Sequence, residues 1–320
     1  MNRPGASESS ADGLEKVMPC LFDRPASRPL IIAHRGYRAC SPENTLLAFD
    51  RSLGRCDMVE LDVRLSQEGE VVIIHDDSLE RTSDAQVVAS RQGIGSLQLR
   101  DWPLTRLRDL DMGSWFVRTD PFGTLSSGLV DAGDLHAHMP QRILTLDELL
   151  RWSLKANLPL NIELKDLGNR RDNLRLAEAV IARIHRAQSG HLLLLSSFNH
   201  QLLVDCWSLA PKIAYAALQG GGHPPELLAY LQNLGVCAYH PEDAITDGTL
   251  VSMLRSAGVA VNVFTVNDPR RMRQLHDFGV TGIVTDYPGH PPWLLAGETA
   301  GIPFPASSPL RWNQGPMRSE

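Results

Sequence analysis

Long hydrophobic runs are missing from this sequence. No stretch approaches the length of about 18 apolar residues that a membrane-spanning helix needs. The opening segment, residues 1–16, is polar and has no apolar core of a signal peptide. Cysteine is sparse: Cys20, Cys40, Cys56, Cys206 and Cys237 are five, an odd number, scattered and without a CxxC pair. That pattern argues against a disulfide framework or a zinc site and leads us to expect reduced thiols in a cytoplasmic protein. Positive charge is also short, with 31 Lys and Arg against 37 Asp and Glu and a net charge of −6. A general nucleic-acid binder needs a basic face, so none is expected as a partner. A phosphate ligand remains open, because a few local cations or a metal ion outweigh the global sign. Neither a GxSxG nucleophile turn nor a Gly-Lys-Ser/Thr phosphate loop occurs. Ser196-Ser197 therefore reads as lining hydroxyls, and Gly220-Gly221-Gly222 as a strand-to-helix turn.

What is present is a regular alternation. The 320 residues, 43% hydrophobic and 21% charged, suit one large soluble domain or two. Residues 1–28 and 291–320 are rich in Pro, Ser, Ala and Gly and read as loose tails around a domain at 29–290. Within it, short apolar runs at 29–36, 58–65, 71–76, 159–165, 191–198, 212–218, 235–241, 260–266 and 282–288 predict strands. Helical periodicity fills most of the gaps. In 42–55, Leu46, Leu47, Phe49 and Leu53 form a stripe with Pro42 in the first turn. Strand–helix alternation of this length means a parallel sheet, doubly wound or closed as a barrel.

The strand count is one too many for an eight-stranded barrel. Segments 58–65 and 71–76 are separated only by residues 66–70. A parallel crossover needs about a dozen residues, so these two predict an antiparallel hairpin. From 77 to about 145 the periodicity fades, which predicts an insertion over one end of the barrel.

The strands carry unusual charge. Glu60, Asp62 and Arg64 share one face of their strand, as do Asn161, Glu163 and Lys165 of theirs, because side chains alternate. In a barrel the apolar faces meet the helices and the charged faces point to the axis, where unpaired charge is costly. Either Arg64 and Lys165 neutralise the acids in a salt-bridged layer, or the three carboxylates hold a hard divalent cation. His34 and His75 each end an apolar strand, and two imidazoles beside such a cluster suit general acid and base. His136 and His138 read as solvated loop residues.

The ordered set His34-Arg35-Gly36, Pro42-Glu43-Asn44-Thr45, Glu60-x-Asp62 and His75-Asp76 resembles the glycerophosphodiester phosphodiesterase family. Gly113-Ser114-Trp115-Phe116, Thr145-Leu146-Asp147-Glu148, Ile162-Glu163-Leu164-Lys165, Ser196-Ser197-Phe198, Thr265-Val266-Asn267 and Thr285-Asp286-Tyr287-Pro288 continue it in order. The resemblance spans about residues 29–290. It implies a distorted (β/α)8 TIM barrel with a small insertion after the His-Asp strand. It implies hydrolysis of a small-molecule glycerophosphodiester, such as glycerophosphocholine or glycerophosphoethanolamine, to glycerol 3-phosphate and an alcohol. By the same resemblance Glu60, Asp62 and Glu163 hold a divalent cation, Mg2+ or Ca2+, with Mn2+ as a further alternative. His34 and His75 are then the acid and base, Arg35 and Lys165 the phosphate clamps, and Glu43 a supporting residue.

The chain departs from the family pattern at three places. Phe264 stands where Trp is usual, Thr281-Gly282 where Asp-Gly is frequent, and Ser83-Asp84-Ala85 replaces a glycine-rich continuation. These bear on the substrate mouth and scaffold rather than on the chemistry. A lysophospholipase D with an acyl-accepting rim and a non-catalytic barrel that binds phosphorylated metabolites are the rival readings. The insertion is expected to shape headgroup choice through Trp115 and Phe116, unless these two merely pack it onto the barrel.

Overall fold

A computed structural model describes residues 28–291, so both expected tails, apart from Arg28 and Pro291, lie outside the described residues. Nine strands form one sheet: β1 (Leu30–Ala33), β2 (Met58–Leu65), β3 (Val71–Ile73), β4 (Leu160–Leu164), β5 (Leu193–Ser197), β6 (Ala214–Gln219), β7 (Ala238–Pro241), β8 (Ala260–Val263) and β9 (Gly282–Thr285). Eight are parallel in the order β1-β9-β8-β7-β6-β5-β4-β2, and pairing of β1 with β2 closes them into a TIM barrel. The ninth, β3, runs antiparallel to β2. Closure resolves the choice that alternation left open.

The seam between β1 and β2 explains the extra strand. β1 pairs only with the start of β2, Ile32 opposite Met58 and Ala33 opposite Val59. β3 takes up the same edge further along, Val63 opposite Ile73 to Leu65 opposite Val71. The barrel is therefore split open at the upper end of β2. The chain leaving β1 at His34 and the chain leaving β3 at His75 both emerge at that split.

Alternation sorts the side chains. Val59, Leu61 and Val63 of β2 and Leu160, Ile162 and Leu164 of β4 point outward into the main core under the helices. Each buried aliphatic side chain there contributes about 1.5–3 kcal/mol. Inside the barrel, Ile32, Met58, Leu194, Ala214, Ala216, Ala238, Ala260 and Val284 close the lower end. The layers above are polar.

The first helix begins later than expected, at Leu46–Ser52, and Pro42 lies outside it. Thr45 is the N-cap: its hydroxyl accepts from the Ala48 N–H at 3.3 Å and donates to the Pro42 carbonyl at 2.7 Å. Leu47 and Phe49 are buried, whereas Leu46 and Leu53 face solvent, so the predicted stripe is rotated. Freed from the helix, Glu43 and Asn44 reach toward the barrel axis. Gly36 is needed where this loop passes the helix, since a Cβ there would sit 2.7 Å from the Ala48 backbone.

The segment after β3 is more ordered than its composition suggests. Short helices at Ala85–Gln92, Leu104–Leu107, Ser114–Thr119 and Ala132–Ala137 carry two apolar clusters. One gathers Leu79, Leu99, Trp102, Leu107 and Leu110 on Val72 and Ile74 of the β3 arm. The other joins Trp115, Phe116 and Leu135 to Tyr37 and Tyr287, which lie beyond β1 and β9. Ser83-Asp84-Ala85 opens the first of these helices, with Asp84 as N-cap. The Thr281 hydroxyl accepts from the Val261 N–H at 2.9 Å, a scaffold contact.

Candidate functional site

The upper ends of β2 and β4 bring Glu60, Asp62 and Glu163 together. One carboxylate oxygen from each lies within 4.8 Å of the others, and all three residues are buried. Register puts Asp62 opposite Glu163. Two cations face this triad. The Lys165 ammonium lies 2.8 Å from Asp62 Oδ1 and 2.5 Å from Glu163 Oε1. Arg35 donates its backbone N–H to Glu60 Oε2 at 2.9 Å, and its guanidinium Nε lies 3.3 Å from Asp62 Oδ2. Asn44 Nδ2 donates to the same Oδ2 at 2.8 Å. Arg35 and Asn44 reach their partners from left-handed backbone, φ 54 and 58.

Charge balance bears on both readings of the acids. Lys165 binds two of the carboxylates, as a salt-bridged layer requires. Arg64 does not join: its Nε donates to the His75 carbonyl at 2.8 Å. Burial, with Asp62 and Glu163 alongside, pushes the Glu60 carboxyl well above the usual range. For Asp62 burial pulls the same way, but Lys165, His75 and Arg35 hold it well below. Asp62 Oδ1 is buried, and its partner is the Lys165 ammonium of the ion pair, with no further donor aligned on it. Three converging oxygen donors, one of them short of positive charge, fit a hard divalent cation.

Each histidine is anchored by a carboxylate. His34 Nδ1 lies 2.8 Å from Asp286 Oδ1, and His75 Nδ1 lies 2.6 Å from Asp76 Oδ1. A carboxylate on Nδ1 fixes the ring and its tautomer and leaves Nε2 for other work. Burial and the Arg35 charge lower His34 to about 4 against the pull of Asp286. Asp286 also accepts from Asn267 Nδ2 at 2.7 Å and from Arg38 at 3.3 Å. Burial would raise its carboxyl, but Arg38 and His34 hold it far below the usual range.

Glu43, 4% exposed, sits among three guanidinium groups. It accepts from Arg35 at 2.8 Å, from Arg38 at 2.9 Å and from both terminal nitrogens of Arg81 at 2.9 and 2.7 Å. Burial opposes its charge, yet the three arginines keep it well below the usual carboxylate range.

A sequence model described as the glycerophosphoryl diester phosphodiesterase family matches residues 34–290. The chain belongs to that family. It is a phosphoric diester hydrolase of the glycerophosphodiester type. The chain is 30% identical over 263 residues to a glycerophosphodiester phosphodiesterase of Bacillus altitudinis, covering 81% of this chain and 94% of that one. A Bacillus subtilis glycerophosphodiester phosphodiesterase is 27% identical over 273 residues, 82% of this chain and 84% of that one. An Oleispira antarctica phosphodiesterase, solved with the product sn-glycerol-3-phosphate, superposes with a TM-score of 0.69 at 30% identity. That match covers 82% of this chain and 94% of the other.

The strand ends and the loops that follow them bring together all eight residues singled out from the sequence: His34, Arg35, Glu43, Glu60, Asp62, His75, Glu163 and Lys165. Sequence reasoning missed Asn44, Arg38, Asp76, Arg81, Asn267 and Asp286 as members. Asp286 offered a signal, a polar residue just past an apolar strand, which is how His34 and His75 were found. Arg38 and Arg81 offered none, because surface-type arginines in loops are common. Trp115 and Phe116, by contrast, are 5% and 0% exposed. They pack the segment after β3 onto the barrel, and no side chain of theirs is offered to a substrate.

Proposed function

We propose that this family member hydrolyses glycerophosphodiesters such as glycerophosphocholine and glycerophosphoethanolamine to glycerol 3-phosphate and the free alcohol. Glu60, Asp62 and Glu163 would hold the divalent cation, Mg2+ or Ca2+, with Mn2+ as a third option. Bound there, the cation would supply Lewis-acid charge to a phosphate oxygen and lower the pKa of the attacking hydroxyl or water.

This chain's own groups do the rest. His34, neutral at pH 7 with its pKa lowered to about 4, accepts the proton of the nucleophile at Nε2, while Asp286 steadies the ring from Nδ1. His75, oriented by Asp76, delivers a proton to the leaving alkoxide. Arg35 and Lys165 spread the charge that develops on the phosphoryl oxygens. Glu43 positions Arg35 and leaves the phosphate to the cations.

The observation that carries this reading is the acidic triad at the strand ends, with a carboxylate-anchored histidine at each side of the open seam. Among the described residues no helix is long and apolar enough to cross a membrane. Cys40, Cys56, Cys206 and Cys237 stand free, which supports placing the protein in the reducing cytoplasm. Incubation of the purified protein with glycerophosphocholine and Mg2+ tests the reaction. Glycerol 3-phosphate and choline in equal amounts are expected; phosphocholine and glycerol instead would reverse the assignment of the broken bond.

A further inference from the structure

Beside the acidic triad, a recess of about 460 Å3 opens over the ends of β4, β5 and β6, lined by Asp166, Phe198, Asn199, His200, Gln219 and Tyr230. Asp166 is one peptide beyond Lys165, so the recess begins where the phosphate-facing wall ends. Phe198, 51% exposed, stands on the rim. Its ring meets Phe264 edge to face, centroids 5.6 Å apart. Phe264 in turn packs on the apolar residues inside the barrel, so the two rings bridge the recess and the barrel axis.

The recess has a sign. His200 Nε2 lies 2.9 Å from the Leu218 carbonyl and Nδ1 lies 2.6 Å from the Tyr230 hydroxyl. Nε2 must donate to that carbonyl, so both ring nitrogens are engaged within the protein. No Lys or Arg is in the lining. Asp166 accepts from neutral groups, Asn173 Nδ2 at 2.8 Å, the Gly168 N–H at 2.9 Å and Asn199 Nδ2 at 3.1 Å. These bonds hold the carboxylate in place without cancelling its charge, and Arg64 acts on it only through space. A fixed negative charge beside aromatic faces attracts a cation and gives nothing to an anion.

We infer that this recess receives the alcohol group of the diester and selects a cationic one, an ammonium or quaternary ammonium alcohol, through Asp166, Phe198 and Tyr230. The inference rests on the proposed reaction, since it places the phosphate at Lys165 and the triad. A cationic headgroup against the ring faces of Phe198 and Tyr230 makes cation–π contacts, and Asp166 adds Coulomb attraction. A neutral polyol headgroup gains neither.

The test compares kcat/KM for glycerophosphocholine with that for glycerophosphoglycerol, in wild type, Asp166→Asn and Phe198→Leu. Wild type is expected to favour the choline ester. Phe198→Leu should narrow that ratio by about two- to thirtyfold, the range of one cation–π contact, and Asp166→Asn should narrow it too by removing the Coulomb attraction. Asp166→Asn could also loosen the loop, which would lower both substrates together; exposed Phe198→Leu carries no such ambiguity. A ratio unmoved by Phe198→Leu overturns the inference. If neither diester is cleaved, the proposed reaction fails, and binding of choline chloride to the intact protein, followed by saturation-transfer NMR, decides the recess alone. Contact of the choline methyl groups that Phe198→Leu abolishes would uphold it, and no contact in wild type would overturn it.

Discussion

Arg81 and Glu43 are joined by a two-pronged ion pair, at 2.9 and 2.7 Å, while Arg81 Nε reaches Asp76 at 2.6 Å. Asp76 holds His75. On the other side Glu43 holds Arg38, whose second contact is Asp286, the partner of His34. One buried carboxylate thus ties the two histidine–carboxylate pairs together through two arginines and braces Arg35 as well. Removing its charge takes one carboxylate from each of three guanidinium groups and leaves the buried Arg35 with Asp62 and Arg38 with the more distant Asp286. Glu43→Gln should therefore cost about 3–5 kcal/mol of stability and lower kcat through both histidines. Denaturant unfolding and kcat on the same preparation check this; an unchanged midpoint would show that the arginines re-pair elsewhere.

His34→Ala and His75→Ala should each lower kcat by at least about a hundredfold, the scale of general acid–base catalysis. Both residues follow their strands rather than filling the apolar core, so circular dichroism should stay that of wild type. Asp286→Asn should fall between these and wild type, because it loosens the ring without removing it. A His75→Ala enzyme with near-normal turnover would remove that residue from the reaction.

Trp115 and Phe116 looked from the sequence like candidates for substrate choice, and their burial reassigns them. Trp115→Ala should cost about 3–5 kcal/mol of stability, as large aromatic truncations do. The ratio of kcat/KM between two headgroups should stay within error. Thermal melts alongside those ratios check it; a shifted ratio with an unchanged melt would return the residue to the substrate.

His240 is fully buried inside the barrel, with Nε2 2.9 Å from Asn262 Nδ2, and burial lowers it from 6.5 to about 3. The unfolded chain takes up this proton first on acidification. The contribution is therefore complete above about pH 6.5 and is lost as pH falls toward 3, by about 1.4 kcal/mol per unit within that window. Melting temperatures measured between pH 7 and 5 should fall more steeply for wild type than for His240→Gln. Equal slopes would mean that the ring is protonated in the folded protein.

The sequence carried much of this because alternation is a local property. Glu60 and Asp62 on one face of β2, with Val59, Leu61 and Val63 on the other, had to point inward once helices covered the sheet. The five residues between β2 and β3 left only a hairpin, which is what forms. What stayed hidden depends on distance in the chain. Asp286 meets His34 across 252 positions, and Arg81 meets Glu43 across 38. The start of the first helix was misplaced because Thr45 competes with Pro42 as its opening residue, and the side-chain cap decides. The segment after β3 looked irregular because its helices are too short for periodicity to register, although Trp102 and Phe116 anchor them in apolar clusters.

The most direct test of the cation site is a titration that reads binding and turnover together. Dialysed wild type and Asp62→Asn would be given increasing Mg2+ or Ca2+, following the melting temperature and release of glycerol 3-phosphate from glycerophosphocholine. Wild type should gain stability and activity over the same metal range, by about 2.7 kcal/mol at a hundredfold excess over the dissociation constant. Both gains should vanish with chelator and be largely absent in Asp62→Asn. Full turnover by wild type in excess chelator, with no metal in the protein, would contradict a cation held by Glu60, Asp62 and Glu163.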